Sequence, residues 1–213
     1  MLATLYARAL DSRAAKPILG DTAAADAVRR IDYDFRRTGI NASSAAGVAM
    51  RAKKLDGWTR DFVLAHESAT VLHLACGLDT RVFRLSPGPH TRWVDVDLPQ
   101  VVTLRERLLP VPNGDYRLIA SSVADDGWLD EVPADRPTVV VAEGLTMYLE
   151  EHDVRRLVER ITGRFSGGEL LFDVYGSFGI KLQKLVPAVR RSGATLHWGL
   201  DDPRAIEAWG LAL

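Results

Sequence analysis

The run "VLHLACGLDTRVFRL", residues 71–85, decides the fold: a greasy strand halts at Cys76-Gly77 and breaks into Asp79-Thr80-Arg81. In open α/β sheets the first strand-to-helix turn looks like this, and ligands bind beside it, beyond the carboxyl ends of the strands. A glycine there lets backbone approach a ligand, and the N–H groups that follow can receive an anion. The competing reading is that Gly77 serves only turn geometry and Asp79 only caps the next helix. Taken alone, the stretch does not separate the two.

From about residue 70 onward, short aliphatic runs alternate with helical patterns, the rhythm of βαβ units. The strand candidates are 70–75, 91–96, 116–121, 137–143 and 168–175, and weak alternation makes them read as buried on both faces. Between them, 98–109 carries Pro99 near a first helical turn, with Val101, Leu104 and Leu108 as its stripe. Residues 150–162 repeat the pattern with Val154, Leu157, Val158 and Ile161, and place acids at the helix start. Upstream, 49–66 sets Leu55, Trp58, Phe62 and Val63 on one helical face, predicting a helix packed against the sheet. Residues 1–45 read as short helices and a loop that cover the site. At the other end, Asp202 caps a helix with Pro203 in its first position, and "LAL" reads as a strand barely begun, as in a truncated chain.

The 213 residues fit one domain, with 1–45 as a helical lid and 46–213 as the core. A hydrophobic fraction of 47% without a membrane-length apolar run, and an N-terminus lacking a secretory apolar block, predict a cytoplasmic protein. A net charge of −1 leaves no electrostatic footprint for nucleic acid or an anionic membrane, so a small-molecule partner is expected. The single cysteine, Cys76, forms no internal disulfide, and the histidines lack a helical metal-pair spacing, so no metal is expected. Cys76 and His73 read as packed core residues rather than a nucleophile and base.

The second strand sharpens the ligand. "WVDVDLP" ends in Asp95 and Asp97, about 20 residues past Gly77, where an acid accepts hydrogen bonds from ribose hydroxyls. A dinucleotide site would want G-x-G-x-x-G, whereas Ala75 and Thr80 stand at the first and third glycine positions. A nicotinamide oxidoreductase is therefore disfavoured. A nucleoside without pyrophosphate asks less of the turn.

Together "HLACGLDTRVFRL", "VDVDLPQVVTLRERLL", "VVVAEGLTMYLEEHDVRRLVERI" and "IDYDF" resemble the leucine carboxyl methyltransferase family, in particular its bacterial branch of polyketide carboxyl methyltransferases. The resemblance implies a Rossmann-like, doubly wound, mostly parallel α/β sheet of the class I methyltransferase type, S-adenosylmethionine as cofactor, and O-methylation of a small, polyketide-like molecule. It also implies site roles. Arg51 pairs with the methionyl carboxylate; Ala75 and Gly77 bring backbone to the methionine part; Asp97 holds the ribose. Ser122 and Val123 lie beside the adenine, and Glu143 near the cofactor. Two positions depart from the family pattern: Ala75 replaces a usual glycine, and Ser122 replaces an acid that would accept from the adenine amine. With the early stop, these departures keep a truncated or degenerate cofactor-binding module as the alternative. Tyr148 reads first as a core aromatic and only second as a residue facing the methyl or acceptor, and Trp198 and Trp209 are candidates either to line the acceptor pocket or to pack.

Overall fold

The computed structural model describes residues 1–185, 189–190 and 193–213. Among them, parallel strands β1 (Ala69–Leu74), β2 (Thr91–Asp97), β3 (Asp115–Ala120), β4 (Thr138–Ala142) and β5 (Gly168–Phe172) form a sheet in the order β3-β2-β1-β4-β5. The order reverses beside β1, so the turn after β1 lies at the switch point. The central strands β1 and β4 are buried along their whole length. The expectation that all five are buried on both faces fails at β3 and β5, which stand at the sheet edges and expose alternate or outer residues. Aliphatic composition reports strand propensity, not position within the sheet.

Seven α-helices lie before, between and after these strands: α1 (Leu2–Ser12), α2 (Thr22–Arg30), α3 (Ala42–Ala65), α4 (Arg81–Leu85), α5 (Pro99–Leu108), α6 (Glu151–Arg164) and α7 (Ser177–Lys181), counting described residues only. The helix α3 starts well before the expected residue 49, because Asn41 and Ser44 close a reciprocal capping box. Its buried face runs through Leu55, Asp56, Thr59 and Phe62. Trp58, expected on that face, is exposed, with the Lys54 ammonium 4.6 Å over its ring. In α5 the buried face is Val102, Arg105 and Leu108, with Val101 and Leu104 at its margin, because Arg105 turns inward to an acid. In α6 the expected stripe is the buried one, packing Leu157 and Ile161 on a core with Leu72, Val94 and Val140.

The N-terminal helices are tied to the switch-point turn. Leu5, Ala9, Ala24, Val28 and Phe35 pack with Leu78 from the turn and Leu108 from α5. The buried Asp11 accepts from the backbone N–H groups of Ile18, Leu19 and Gly20, which fixes the loop between α1 and α2. At the far end, Asp202 accepts from Arg204 N–H and caps a helix that begins at Pro203, as expected, of 3-10 form over Pro203–Trp209. Leu211–Leu213 form no strand. No helix is long and apolar enough to cross a membrane among the described residues.

Candidate functional site

Four of the five strands end in residues singled out above. Ala75 and Gly77 follow β1, Asp97 closes β2, Ser122 and Val123 follow β3, and Glu143 follows β4. All lie at the carboxyl edge of the sheet, and Arg51 reaches that edge from α3.

The turn after β1 is conformationally unusual. Both Ala75 (φ +49°) and Gly77 (φ +52°) are left-handed, a conformation natural for glycine and costly for alanine. A side chain on Gly77 would stand 3.4 Å from Cγ and 3.9 Å from Sδ of Met1. Several N–H groups of this turn are already used within the protein: Gly77 N–H donates to Asp97 Oδ2 at 2.6 Å, Asp79 N–H to Cys76 O, and Arg81 N–H to Asp79 Oδ1. The turn therefore offers close approach of backbone rather than a full anion cradle. Asp97 uses its other oxygen on Leu98 N–H at 2.7 Å, and each carboxylate oxygen keeps a second lone pair for a hydroxyl.

Beneath the turn lies a buried ionic network. Arg81, fully buried, donates to Asp56 Oδ1 and Glu143 Oε2, each at 2.6 Å, and lies 3.5 Å from Asp79. Arg84 joins Asp56, Asp79 and Asp21; Arg8 reaches Asp21, Asp79 and the carbonyl of Leu78. Burial opposes the charge on Asp79, but Arg8, Arg84 and Arg81 outweigh it and hold its carboxyl well below the usual range. Asp79 thus accepts the first N–H of α4, one residue before the N-cap Thr80, and links α1 to the turn, which is more than a capping role.

A second branch runs through His73 and Asp95. Arg81 Nη1 donates to His73 Nε2 at 3.3 Å, which leaves the proton on Nδ1 to donate to Asp95 at 3.1 Å. Asp95 also accepts from Trp93 Nε1, Arg105 Nη2 and Tyr116 OH. Burial works against its ionisation, yet Arg105 and the His73 and Trp93 hydrogen bonds prevail and lower its pKa to about 2. His73 is accordingly a satisfied core residue. Burial pushes the Cys76 thiol well up, as befits a packed side chain and not a nucleophile.

Arg51 and Glu143 are together, but not as two independent cofactor contacts. Arg51 Nε donates to Glu143 Oε1 at 3.0 Å and Nη1 to Asp173 Oδ2 at 2.9 Å. Glu143 is 4% exposed, with one oxygen on Arg51 and the other on Arg81. Burial disfavours its charge; Arg81 and Arg51 overcome that and lower its pKa. Asp173 ends the expected strand early: it turns to accept Gly144 N–H at 2.6 Å, so β5 stops at Phe172 rather than residue 175. Neither Asp173 nor the pairing of Arg81 with Glu143 was anticipated. The available signal was that β2, β4 and β5 each run into an acid, in "VDVD", "VVVAE" and "LLFD".

Ser122 Oγ accepts Ala124 N–H, and Val123 is buried, its carbonyl receiving Trp128 Nε1. Tyr148 and Tyr175 are partly exposed, and burial, with Tyr175 and Asp173 nearby, raises the Tyr148 pKa against the opposing pull of Arg51. Trp198 is buried with its ring 5.9 Å from that of Trp209, an arrangement of packing rather than of a pocket wall. A cavity of about 440 Å³ lies at the opposite edge of the sheet, lined by Phe62, His66, Arg136 and Gly168, so the chemistry of the strand ends, not cavity size, marks the site. The donor set at those ends fits S-adenosylmethionine: an acid with spare lone pairs for a ribose, a part-exposed guanidinium for a carboxylate, and a glycine turn that admits close approach of backbone.

Comparison with known proteins agrees. The family model for leucine carboxyl methyltransferase matches residues 1–162. The chain is 45% identical over 98% of its length, and 77% of the relative's, to the tetracenomycin polyketide synthesis O-methyltransferase TcmP of Streptomyces glaucescens. It is 39% identical over 97% of its length, and 76% of the relative's, to the S-adenosyl-L-methionine-dependent methyltransferase dpfgK of Gibberella zeae. Among solved structures, a Thermobifida fusca protein assigned as a methyltransferase shares the fold, with a TM-score of 0.58 at 21% identity over 95% of this chain and 78% of that one. The protein belongs to the leucine carboxyl methyltransferase family and is an S-adenosylmethionine-dependent methyltransferase.

Proposed function

We propose that the protein methylates a carboxylate or hydroxyl oxygen of a small, polyketide-like molecule, as a single cytoplasmic domain in which residues 1–45 form the lid. The observation that carries the acceptor class is the near full-length identity to TcmP, named for tetracenomycin polyketide synthesis. The balanced charge, −1 overall, supports a small-molecule acceptor rather than nucleic acid.

In this reading the ribose hydroxyls meet Asp97, the adenine lies against Ser122 and Val123, and the methionyl end lies over Ala75 and Gly77 toward Arg51. Glu143 acts from behind, fixing Arg51 and Arg81 in place. Bound S-adenosylmethionine supplies a methyl group on a positively charged sulfur. The work left to the chain is to align the acceptor oxygen with that methyl, an entropic contribution of roughly 7–11 kcal/mol in well-oriented systems. A carboxylate acceptor is already a nucleophile at neutral pH and asks for no base; a phenol would need its proton taken. Tyr148, held protonated, is suited to donate a hydrogen bond to an acceptor carboxylate rather than to remove a proton.

The test is transfer of labelled methyl from S-adenosylmethionine to a panel of aromatic polyketide carboxylic acids and their phenolic counterparts. Transfer to the acids, or to the phenols, upholds the reading and names the oxygen. Tight S-adenosylhomocysteine binding with no transfer to any member overturns it in favour of a binding module.

A further inference from the structure

We propose that Asp173 binds the α-ammonium of the cofactor's methionyl end, beside Arg51, which takes the α-carboxylate. This rests on the cofactor site proposed above and adds to it a residue and a division of labour. The register pairs His73 with Val141 and Ala142 with Phe172, so the residues just past β1, β4 and β5 are neighbours across the sheet edge. Asp173 therefore stands in line with Ala75 and Glu143.

The two carboxylates on Arg51 differ in what they have left to give. Glu143, 4% exposed, spends one oxygen on Arg51 and the other on the buried Arg81. Asp173 is 18% exposed at the rim. Its Oδ1 accepts Gly144 N–H at 2.6 Å and its Oδ2 accepts Arg51 Nη1 at 2.9 Å, which leaves a lone pair on each oxygen. Its backbone is fixed as well, since Thr146 Oγ1 donates to Asp173 O at 2.8 Å, and the strap it holds begins at left-handed Gly144.

Charge then selects the ligand group. Asp173 shares the Arg51 guanidinium with Glu143, whose other oxygen is taken by Arg81, so a lone anion approaching Arg51 would crowd negative charge against the rim carboxylate of Asp173. An amino-acid zwitterion relieves it, because its ammonium and carboxylate sit on one carbon and face a carboxylate and guanidinium already joined at 2.9 Å. The geometry is that of a paired reader for an α-amino acid, with Glu143 as its backing.

Calorimetric titration of wild type and Asp173→Asn with three probes tests this: S-adenosylhomocysteine, its decarboxylated amine analogue, and methylthioadenosine, which lacks both charged groups. Asn keeps an oxygen for Gly144 N–H while removing the charge. Binding of S-adenosylhomocysteine and of the amine should weaken about tenfold or more, while methylthioadenosine stays within about twofold. Equal weakening of all three, or tighter S-adenosylhomocysteine, overturns the assignment. Should Asp173→Asn fail to fold, Asp173→Ser is read with the same probes. Wild type that binds S-adenosylhomocysteine no better than methylthioadenosine sinks the ammonium reading alone; wild type that binds none of the three sinks the cofactor site itself.

Discussion

Ala75→Gly is expected to stabilise the protein, against the usual rule that adding a glycine loosens a chain. Ala75 sits at φ +49° in the turn after β1. A non-glycine residue in that left-handed region costs roughly 1–2 kcal/mol. Glycine removes that cost but takes back roughly 0.5–1 kcal/mol through the freedom it adds to the unfolded chain. The net expectation is a change of about 0 to 1.5 kcal/mol, centred on a gain of about 0.75 kcal/mol, or roughly 1.5–3 °C in Tm for a chain of this size. Urea unfolding and calorimetric melting without ligand would read it. A lower Tm would refute the strain argument. The same variant removes a methyl group from the strand end where cofactor backbone contacts are proposed, so tighter S-adenosylhomocysteine binding should accompany the gain; weaker binding would mean that the alanine methyl is itself a contact.

Arg81→Met should cost about 3 kcal/mol, the low end for breaking a buried pair, because Asp56 keeps Arg84 and Glu143 keeps Arg51; a loss under about 1 kcal/mol in urea unfolding would show the network to be dispensable. Gly168→Ala places a Cβ 1.9 Å from Thr138 O at the β4–β5 junction and should cost about 3 kcal/mol, read as a lower denaturation midpoint; a neutral result would mean that this strand start shifts freely. Stability should fall in acid. Asp95, lowered from 3.8 to about 2, contributes about 2 kcal/mol that is present above its unfolded pKa and lost as pH drops through the folded one. Asp79 and Glu143 shift in the same direction and add to the loss; unfolding free energies that stay flat from pH 6 to pH 3 would contradict this.

What the sequence disclosed and what it hid divide along a physical line. The strand-turn-helix at Gly77, the α6 stripe and the acid closing β2 are local patterns, and each stands where it was expected. Arg81 and Arg84 find Asp56, Asp21 and Glu143 at separations of 25 to 63 residues, pairings that no local spacing announces. Asp56 and Thr59 interrupt the apolar face of α3, a further local hint that a polar network runs beneath the turn. The start of α3 was missed because "INASS" reads as loop until Asn41 and Ser44 are seen to cap one another. Asp173 escaped because an apolar run continuing to Val174 and Tyr175 looks like strand. Only the bonds from Gly144 and Arg51 show why it stops.

The most direct test of the central claim, a cofactor site at the carboxyl edge of β1 and β2, is the thermal shift induced by S-adenosylhomocysteine in wild type and in Asp97→Ala. Each protein is compared with its own unliganded melt, so the two N–H bonds lost with Asp97 cancel. Ligand at about 100 times its Kd should stabilise wild type by about 2.7 kcal/mol, or roughly 5–10 °C, and the variant far less at the same concentration. A wild type that gains nothing, or a variant that gains as much, would contradict the site.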